Sequence, residues 1–517
     1  MGRNLERGIV KYSKRGVVLK QVNKQNARIL IVTPEITYLP KGMGNMANNL
    51  KAKAGGLADV SASLVTVLFE NGIDVHVALP HYQRMFTVNV GRLISNELRI
   101  YKNKLPDERI HLAEDRCFYY RDAVYSYNQP EENIKIALAF QREVINNIMP
   151  RVQPDLIHCN DWMTGLVPAA AKALGIPSIF TLHNIHTIKT TLSKIEDMGI
   201  DAYSFWNHLF YEKFPGNYEE SRDSNPVDFL VSGAFASDYV NTVSPTFLDE
   251  IVDEKHAFVA GNLLNELKLK KAQGRAGGVL NAPDDSFHPE RDTFLPHSYN
   301  WETVEKGKSA NKLEVQQMFS LVEDPDAPLF FWPSRLDPVQ KGPELLAHIL
   351  YDLTVKYPSL QIVMVANGPY QQHFQDIVRF HDLYKRVAVG DFDEKISRVA
   401  YAGSDFLFMP SRFEPCGLPQ MVGPKYGTLA IACDTGGLHD TVESIDLDRG
   451  TGNGFLFKDY SIEGLWWGIE QAMAFHLKPK AWKIKHLQRI MKEADQAFSH
   501  ARTAENYMAI YRKVLGL

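Results

Sequence analysis

Three scarcities narrow what this chain can be. Its four cysteines (Cys117, Cys159, Cys416 and Cys433) are widely spread, and no two form a Cys-x-x-Cys pair. That argues against a disulfide scaffold and a zinc-ligand signature, and it fits a reducing compartment. No apolar run approaches the roughly 18 to 20 residues needed to cross a bilayer, and the first residues lack a secretory apolar core. A cytoplasmic protein with no membrane partner is the expectation, or a plastid one if the source is a photosynthetic eukaryote. No sign of charge dominates: 57 basic and 61 acidic residues interleave to a net charge of −4. A dedicated nucleic-acid binder would show a basic bias, so no nucleic-acid partner is expected.

What is present points to a soluble multi-domain chain. A hydrophobic content of 45% spread over 517 residues is too much for one core. One stretch is locally basic: Arg3, Arg7, Lys11, Lys14, Arg15, Lys20 and Lys24 face a single Glu6. A transit-peptide remnant would be richer in serine, so residues 1–27 read as a solvated arm or an added edge segment.

Short β-branched runs alternate with helical patterns, the rhythm of βαβ units and parallel sheets. In the first half the predicted strands are RILIVTP (28–34), DVHVALP (74–80), KIALAF (135–140), PDLIHCN (154–160), PSIFTLHN (177–184) and DYVNTVS (238–244). Residues 56–70 and 164–174 fit amphipathic helices. The rhythm restarts with PLFFWPSRL (328–336), LQIVMVANG (360–368), RVAVGDF (386–392), DFLFMPS (405–411) and TLAIACDTGG (428–437). The fold class is therefore α/β, with two doubly wound Rossmann-like domains joined through the polar stretch 268–315. The expected boundaries are 28–280 and 281–490, with 491–517 a terminal helix packing back on the first domain. Ligands of such sheets bind outside the carboxyl ends of the strands, so the residues just after each strand are the site candidates.

Lys53, Gly55 and Gly56 stand directly before a helical run. A Gly-Gly turn lets backbone amides approach an anion at the positive end of a helix, and Lys53 adds a charge; a plain turn into a surface helix is the rival reading. His158 and Asp161 in HCNDW, and His183 in FTLHN, lie at strand ends where they can bind sugar hydroxyls, unless they are ordinary cap residues. Arg335 and Lys341 follow the strand at 328–336, close enough in sequence to reach one diphosphate and stabilise its departure without a metal. Gly436 and Gly437 lead from strand to helix as a phosphate or sugar cradle would. Glu414, stiffened by Pro415, can hold sugar hydroxyls or a cation-like centre beside the diphosphate; its alternative is a loop-tying pair with Arg412.

Eight segments in order resemble the bacterial glycogen synthases and plant starch synthases, retaining glycosyltransferases of the GT-B architecture. They are Lys53 to Val60, His158 to Trp162, Phe180 to Asn184, Thr242 to Thr246, Ser334 to Leu336 with Gln340 to Gly342, Pro410 to Leu418, Tyr426 to Leu429, and Thr435 to Val442. The resemblance implies that Lys53, Gly55 and Gly56 contact the donor diphosphate and sugar. It makes Arg335 and Lys341 the leaving-group cations and Glu414 the carboxylate that positions the donor glucose. His183 would lie near the anomeric carbon, Asp161 would bind hydroxyls or help the acceptor, and Phe392 falls where the family often stacks an aromatic on the base. The implied reaction moves glucose from ADP-glucose to the non-reducing end of an α-1,4-glucan with retention, and needs no cofactor or metal. A second carboxylate nucleophile is not evident, which favours a front-face route. The rivals are UDP-glucose or mixed donors, a GT-B transferase with small acceptors, and a glucan-binding scaffold without turnover.

Four features depart from the family. Its Asn-Gly-Ile-Asp hinge is here Asn281, Ala282, Pro283, Asp284, and closure of such clefts completes the site. HTIKT (186–190) replaces the usual tyrosine and glycine, which puts acceptor contacts in question. The turn 39–49 is long, and Ala366 stands where a glycine is usual.

Overall fold

Strands that are apolar on both faces need cover on both, and the fold supplies it. The computed structural model describes residues 27–44, 47, 50–86, 108–126 and 129–517. The basic stretch before residue 27 and part of the 39–49 turn lie outside the described residues.

The first sheet uses β1 (Arg28–Val32), β2 (Asp74–Pro80), β3 (Ile110–Ala113), β4 (Leu156–Asn160) and β5 (Ser178–Leu182). Beyond a short antiparallel pair, β6 (Lys189–Thr190) and β7 (Val227–Asp228), it adds β8 (Tyr239–Thr242) and β9 (Ala276–Gly278). Its order is β3-β2-β1-β4-β5-β8-β9, and every pairing is parallel. The second sheet contains β10 (Leu329–Trp332), β11 (Gln361–Val365), β12 (Val387–Gly390), β13 (Phe406–Met409), β14 (Leu429–Cys433) and β15 (Gly454–Phe457). Its parallel order is β12-β11-β10-β13-β14-β15. Both sheets thus reverse direction once, between β1 and β4 and between β10 and β13. A crevice opens at each reversal, where ligands of doubly wound sheets bind.

One predicted strand is a helix. KIALAF lies inside the helix Pro130–Glu143, whose start carries Pro130 with Glu131 and Glu132 in the first turn. Proline at the first turn and acids at the positive helix end favour that start, and they sit upstream of the apolar run that suggested a strand.

Each sheet has its own buried core, and the end of the chain belongs to both. The helix Lys480–Ala497 puts Ile490 and Met491 into the second half. The helix His500–Leu515 instead buries Ala504, Tyr507, Ile510 and Tyr511 in the core of the first sheet. The expected terminal helix is therefore two helices. Residue 491 falls inside the first of them, and the return to the first sheet is made beyond Phe498.

Several contacts join the halves. Val243, from the end of β8, packs with Cys416, Met421, Leu280, Leu418 and Phe498 in a small apolar knot. Cys416 owes its place to that packing, and burial pushes its thiol up to about 12. Ser244 and Thr246, at the start of the helix Pro245–Val252, donate to Asp440. Glu250 on the same helix accepts from Thr435 Oγ1 and from the Gly436 amide, both at 3.1 Å.

Candidate active site

The reversal point of the second sheet gathers the cations and the carboxylate. β10 runs into Arg335 and Lys341, and β13 runs into the loop carrying Glu414. Gly342 makes their approach possible. Its φ is +69°, and a Cβ there would lie 2.2 Å from the Pro410 carbonyl oxygen, so a side chain would push the two loops apart. The Arg412 amide donates to Gln340 O at 2.8 Å and locks the loops together. Lys341 Nζ then sits 2.5 Å from Glu414 Oε2, and Ser411 Oγ donates to the same oxygen at 2.9 Å. Both charged side chains are largely buried, at 13% and 6% exposure. Glu414 is not the partner of Arg412, whose guanidinium lies over the Tyr460 ring. Arg335 is not drawn into the pair: it is 65% exposed, with its guanidinium 3.8 Å from Asp337.

Gly436 and Gly437 have a different task from the predicted cradle. A Cβ on Gly436 would meet Glu414 O at 2.1 Å, and one on Gly437 would meet Cys416 O at 2.0 Å. The Gly437 amide donates to Glu414 O at 2.9 Å. These glycines clamp the backbone on either side of Pro415, and their amides are engaged by protein oxygens. Phe392 is 56% exposed at the end of β12, its amide held by Asn367 Oδ1 at 3.0 Å.

The first sheet builds the facing half around a residue the sequence reading missed. Glu35 follows β1 and is buried at 2% exposure. Its Oε2 accepts from the Ala54 and Gly55 amides at 2.6 and 3.0 Å, and Oε1 accepts from Tyr125 OH at 3.3 Å. Burial raises the Glu35 carboxyl above the usual range and the Asp59 charge adds to that, against the lowering effect of these bonds. Backbone bonds between Ile36 and Ala52 pinch the ends of the long turn, so residues 53–56 sit at the end of β1. Lys53 pairs with Asp59 Oδ2 at 2.8 Å, and Thr37 Oγ1 donates to the other oxygen. The helix Gly56–Glu70 begins there, and a Cβ on Gly56 would lie 3.1 Å from Leu418. The Lys-Ala-Gly-Gly turn and the Glu-Pro-Cys-Gly-Leu loop therefore abut across the cleft.

Asp161 follows β4, the other strand at the first reversal point, with φ +63° and ψ 177°. That conformation is costly for a residue other than glycine and recurs where function demands a fixed direction. Burial pushes its carboxyl up to about 8, against the Trp162 amide bond and with help from the Glu35 charge. His183, half-buried after β5, has Nε2 2.9 Å from Asn160 Oδ1. Burial lowers its pKa to about 3, so the ring is neutral at working pH. His158 leaves the candidate set. It is fully buried within β4, with Nδ1 2.8 Å from Tyr511 OH and Nε2 2.7 Å from Thr181 Oγ1.

Residues 28–266 match the family described as "Starch synthase catalytic domain", and residues 315–488 match "Glycosyl transferases group 1". A glycogen synthase of Exiguobacterium sibiricum is 33% identical over 491 residues, covering 89% of this chain and 96% of that one. A glycogen synthase of Moorella thermoacetica is 33% identical over 516 residues, 94% of this chain and 97% of its own. The chain belongs to the glycogen synthase family. Among solved structures, the catalytic domain of starch synthase IV from Arabidopsis thaliana, bound to ADP and acarbose, superposes with a TM-score of 0.76. It is 25% identical and spans 95% of this chain and 100% of that one. Sucrose-phosphate synthase from Thermosynechococcus elongatus, 18% identical over 95% of this chain and all of its own, shares the fold at a TM-score of 0.56. This glycogen synthase homologue is thus a glycosyltransferase of the GT-B fold. Among its described residues no helix is long and apolar enough to cross a membrane.

Proposed function

We propose that the protein transfers glucose from ADP-glucose to the non-reducing end of an α-1,4-glucan with retention of anomeric configuration. The observation that carries the reading is the buried Lys341–Glu414 pair, set against the Lys53–Gly56 turn where Gly56 abuts Leu418. The donor diphosphate takes Lys341, and exposed Arg335 swings in beside it. Two cations on the departing phosphate stabilise charge that is larger in the transition state than in the bound donor, which is what accelerates the step. Glu414, released from Lys341, accepts from the glucose hydroxyls. Neutral His183, oriented by Asn160, donates no net charge and contacts the sugar near its anomeric carbon. Asp161 and Glu35 lie on the acceptor side, where raised carboxyl pKa values suit hydrogen bonding to hydroxyls. Phe392 offers an exposed ring to the base, and no metal is needed in this scheme.

ADP as donor nucleotide draws support from the starch synthase IV structure, which binds ADP, and the glucan acceptor from the names of the relatives. Initial rates of labelled glucose incorporation into glycogen, from ADP-glucose and UDP-glucose side by side with a chelator present, test the reading. Faster transfer from ADP-glucose that survives chelation is expected. A preference for UDP-glucose overturns the donor assignment, and no transfer from either donor by folded protein favours a glucan-binding scaffold.

A further inference from the structure

The second half holds a cavity of about 280 Å3 that lies away from the cleft. Its lining includes Asp326, Asp405 and Gly427, which precede β10, β13 and β14, and Phe406, the first residue of β13. It therefore opens at the amino ends of the strands, the edge of the sheet opposite Lys341 and Glu414. The volume is at the lower end for small-molecule sites, about 300 Å3.

Five lysines line it: Lys308, Lys312, Lys478, Lys480 and Lys483. The lining carboxylates are three, Glu305, Asp326 and Asp405, so two positive charges are left over. The pairing shows where the excess sits. Lys312 meets Asp405 at 2.6 Å and Lys480 meets Glu305 at 3.0 Å. Lys308 is buried, and its ammonium donates to Ala402 O, Tyr426 O and Thr428 Oγ1, all uncharged. Lys483 donates to the His476 carbonyl, and Lys478 lies 5.7 Å from the Trp482 ring centre. A buried ammonium with only neutral partners is costly, and an anion in the adjoining space offsets that cost.

We propose that this cavity binds a small phosphomonoester dianion, its phosphate drawn toward Lys308 and Lys312 and held at the mouth by Lys480 and Lys483. A phosphate group carries about 1.5 to 2 negative charges at neutral pH, and the cavity's excess reaches two once Lys308 is fully protonated, which an arriving anion favours. Burial, with the neighbouring Lys312 charge, holds the Lys308 ammonium down at about 7 despite Asp405, and Lys483 and His476 are lowered as well. An arriving anion raises all three, so binding takes up protons. The site is separate from the donor site and remains free when the cleft is filled.

Isothermal titration of the full chain with inorganic phosphate and, separately, glucose 1-phosphate tests this, with saturating ADP in the cleft and sodium chloride as the ionic-strength control. Saturable binding is expected, with proton uptake seen as a dependence of the heat on buffer ionisation at pH 7.5. The double variant Lys480→Ala/Lys483→Ala, altered at the mouth, should weaken it by about tenfold or more, the loss of one or two charge-assisted bonds. Tighter binding of glucose 1-phosphate identifies a sugar phosphate as the ligand; equal binding means free phosphate suffices. The proposal is overturned if wild type binds neither probe, if ADP abolishes binding, or if the mouth variant binds as tightly as wild type. Lys308→Met should remove binding and the proton uptake together, and the mouth variant decides the matter should that substitution prevent folding.

Discussion

Thr246 Oγ1 donates to Asp440 Oδ1 at 2.6 Å, so a helix start on one sheet is fastened to a short helix on the other. Ser244 Oγ reaches the second oxygen of the same carboxylate. Asp440, which also accepts from the Thr246 amide at 3.3 Å, thus holds the start of a helix in the opposite half of the molecule, a helix capped by Ser244. Replacing it strands two hydroxyls in a buried interface. Asp440→Ala should lower stability by about 1–3 kcal/mol and loosen the relation between the halves. Denaturant unfolding and small-angle scattering measure the two effects. Unchanged midpoint and radius of gyration would show that the fastening contributes nothing.

The clamp made by Gly437 predicts a sharper effect. A Cβ placed 2.0 Å from Cys416 O has to move backbone rather than a flexible side-chain end. Gly437→Ala should destabilise by about 3 kcal/mol and displace Glu414, lowering turnover even where the protein stays folded. Wild-type turnover in that variant would separate the clamp from the site.

Asp161 gives a pH signature. Its carboxyl holds a proton up to about pH 8 in the folded chain and loses it near 3.8 when unfolded. Between these values the folded state binds more protons, so the stability this group contributes is complete below pH 4 and is lost as pH rises toward 8. Asp161→Asn does not titrate, so its stability relative to wild type should rise through that window by up to about 1.4 kcal/mol per pH unit. Melting curves at pH 4, 6 and 8 check this; a constant or narrowing difference contradicts the raised value.

His158 and Tyr511 separate a structural histidine from a chemical one. The ring spans β4 and the terminal helix, 353 residues apart in sequence. Tyr511→Phe leaves a buried ring nitrogen without its partner and should cost about 1–3 kcal/mol, with turnover per folded molecule unchanged. A fall in kcat at constant fold would bring His158 back into the site.

These cases mark where the sequence was legible and where it was not. Lys341, Glu414, Asp161 and His183 follow strong apolar strands, and proline or glycine beside the first two signals a fixed turn. That local signal carries through to the observed strand ends. The Gly436 amide is taken by the Glu250 side chain 186 residues away, and the backbone packed against both glycines belongs to Glu414 and Cys416, more than twenty residues away, so the same Gly-Gly pair read as a phosphate cradle. Glu35 follows the first strand in the way the others follow theirs and has Pro34 beside it, but the loop it caps begins only at Ala54, 19 residues on, so nothing next to it in sequence shows what it holds. The strands Ile110–Ala113 and Ala276–Gly278 were invisible for another reason: one is short and carries a histidine, the other is mostly glycine, and both form because a neighbouring strand offers an open edge. KIALAF misled because a six-residue apolar run fits strand and helix alike until its capping residues are weighed.

The proposed reaction turns on Lys341 and Glu414. The direct measurement is kcat for transfer from ADP-glucose by Lys341→Met, Glu414→Gln and the double variant, each shown to be folded by its melting curve. Each single variant is expected to lose about 100-fold or more, and the double little beyond the worse single, because the two act on one transition state. Turnover near wild type in either single variant would remove that residue from the chemistry and contradict the assignment of this pair as the donor site.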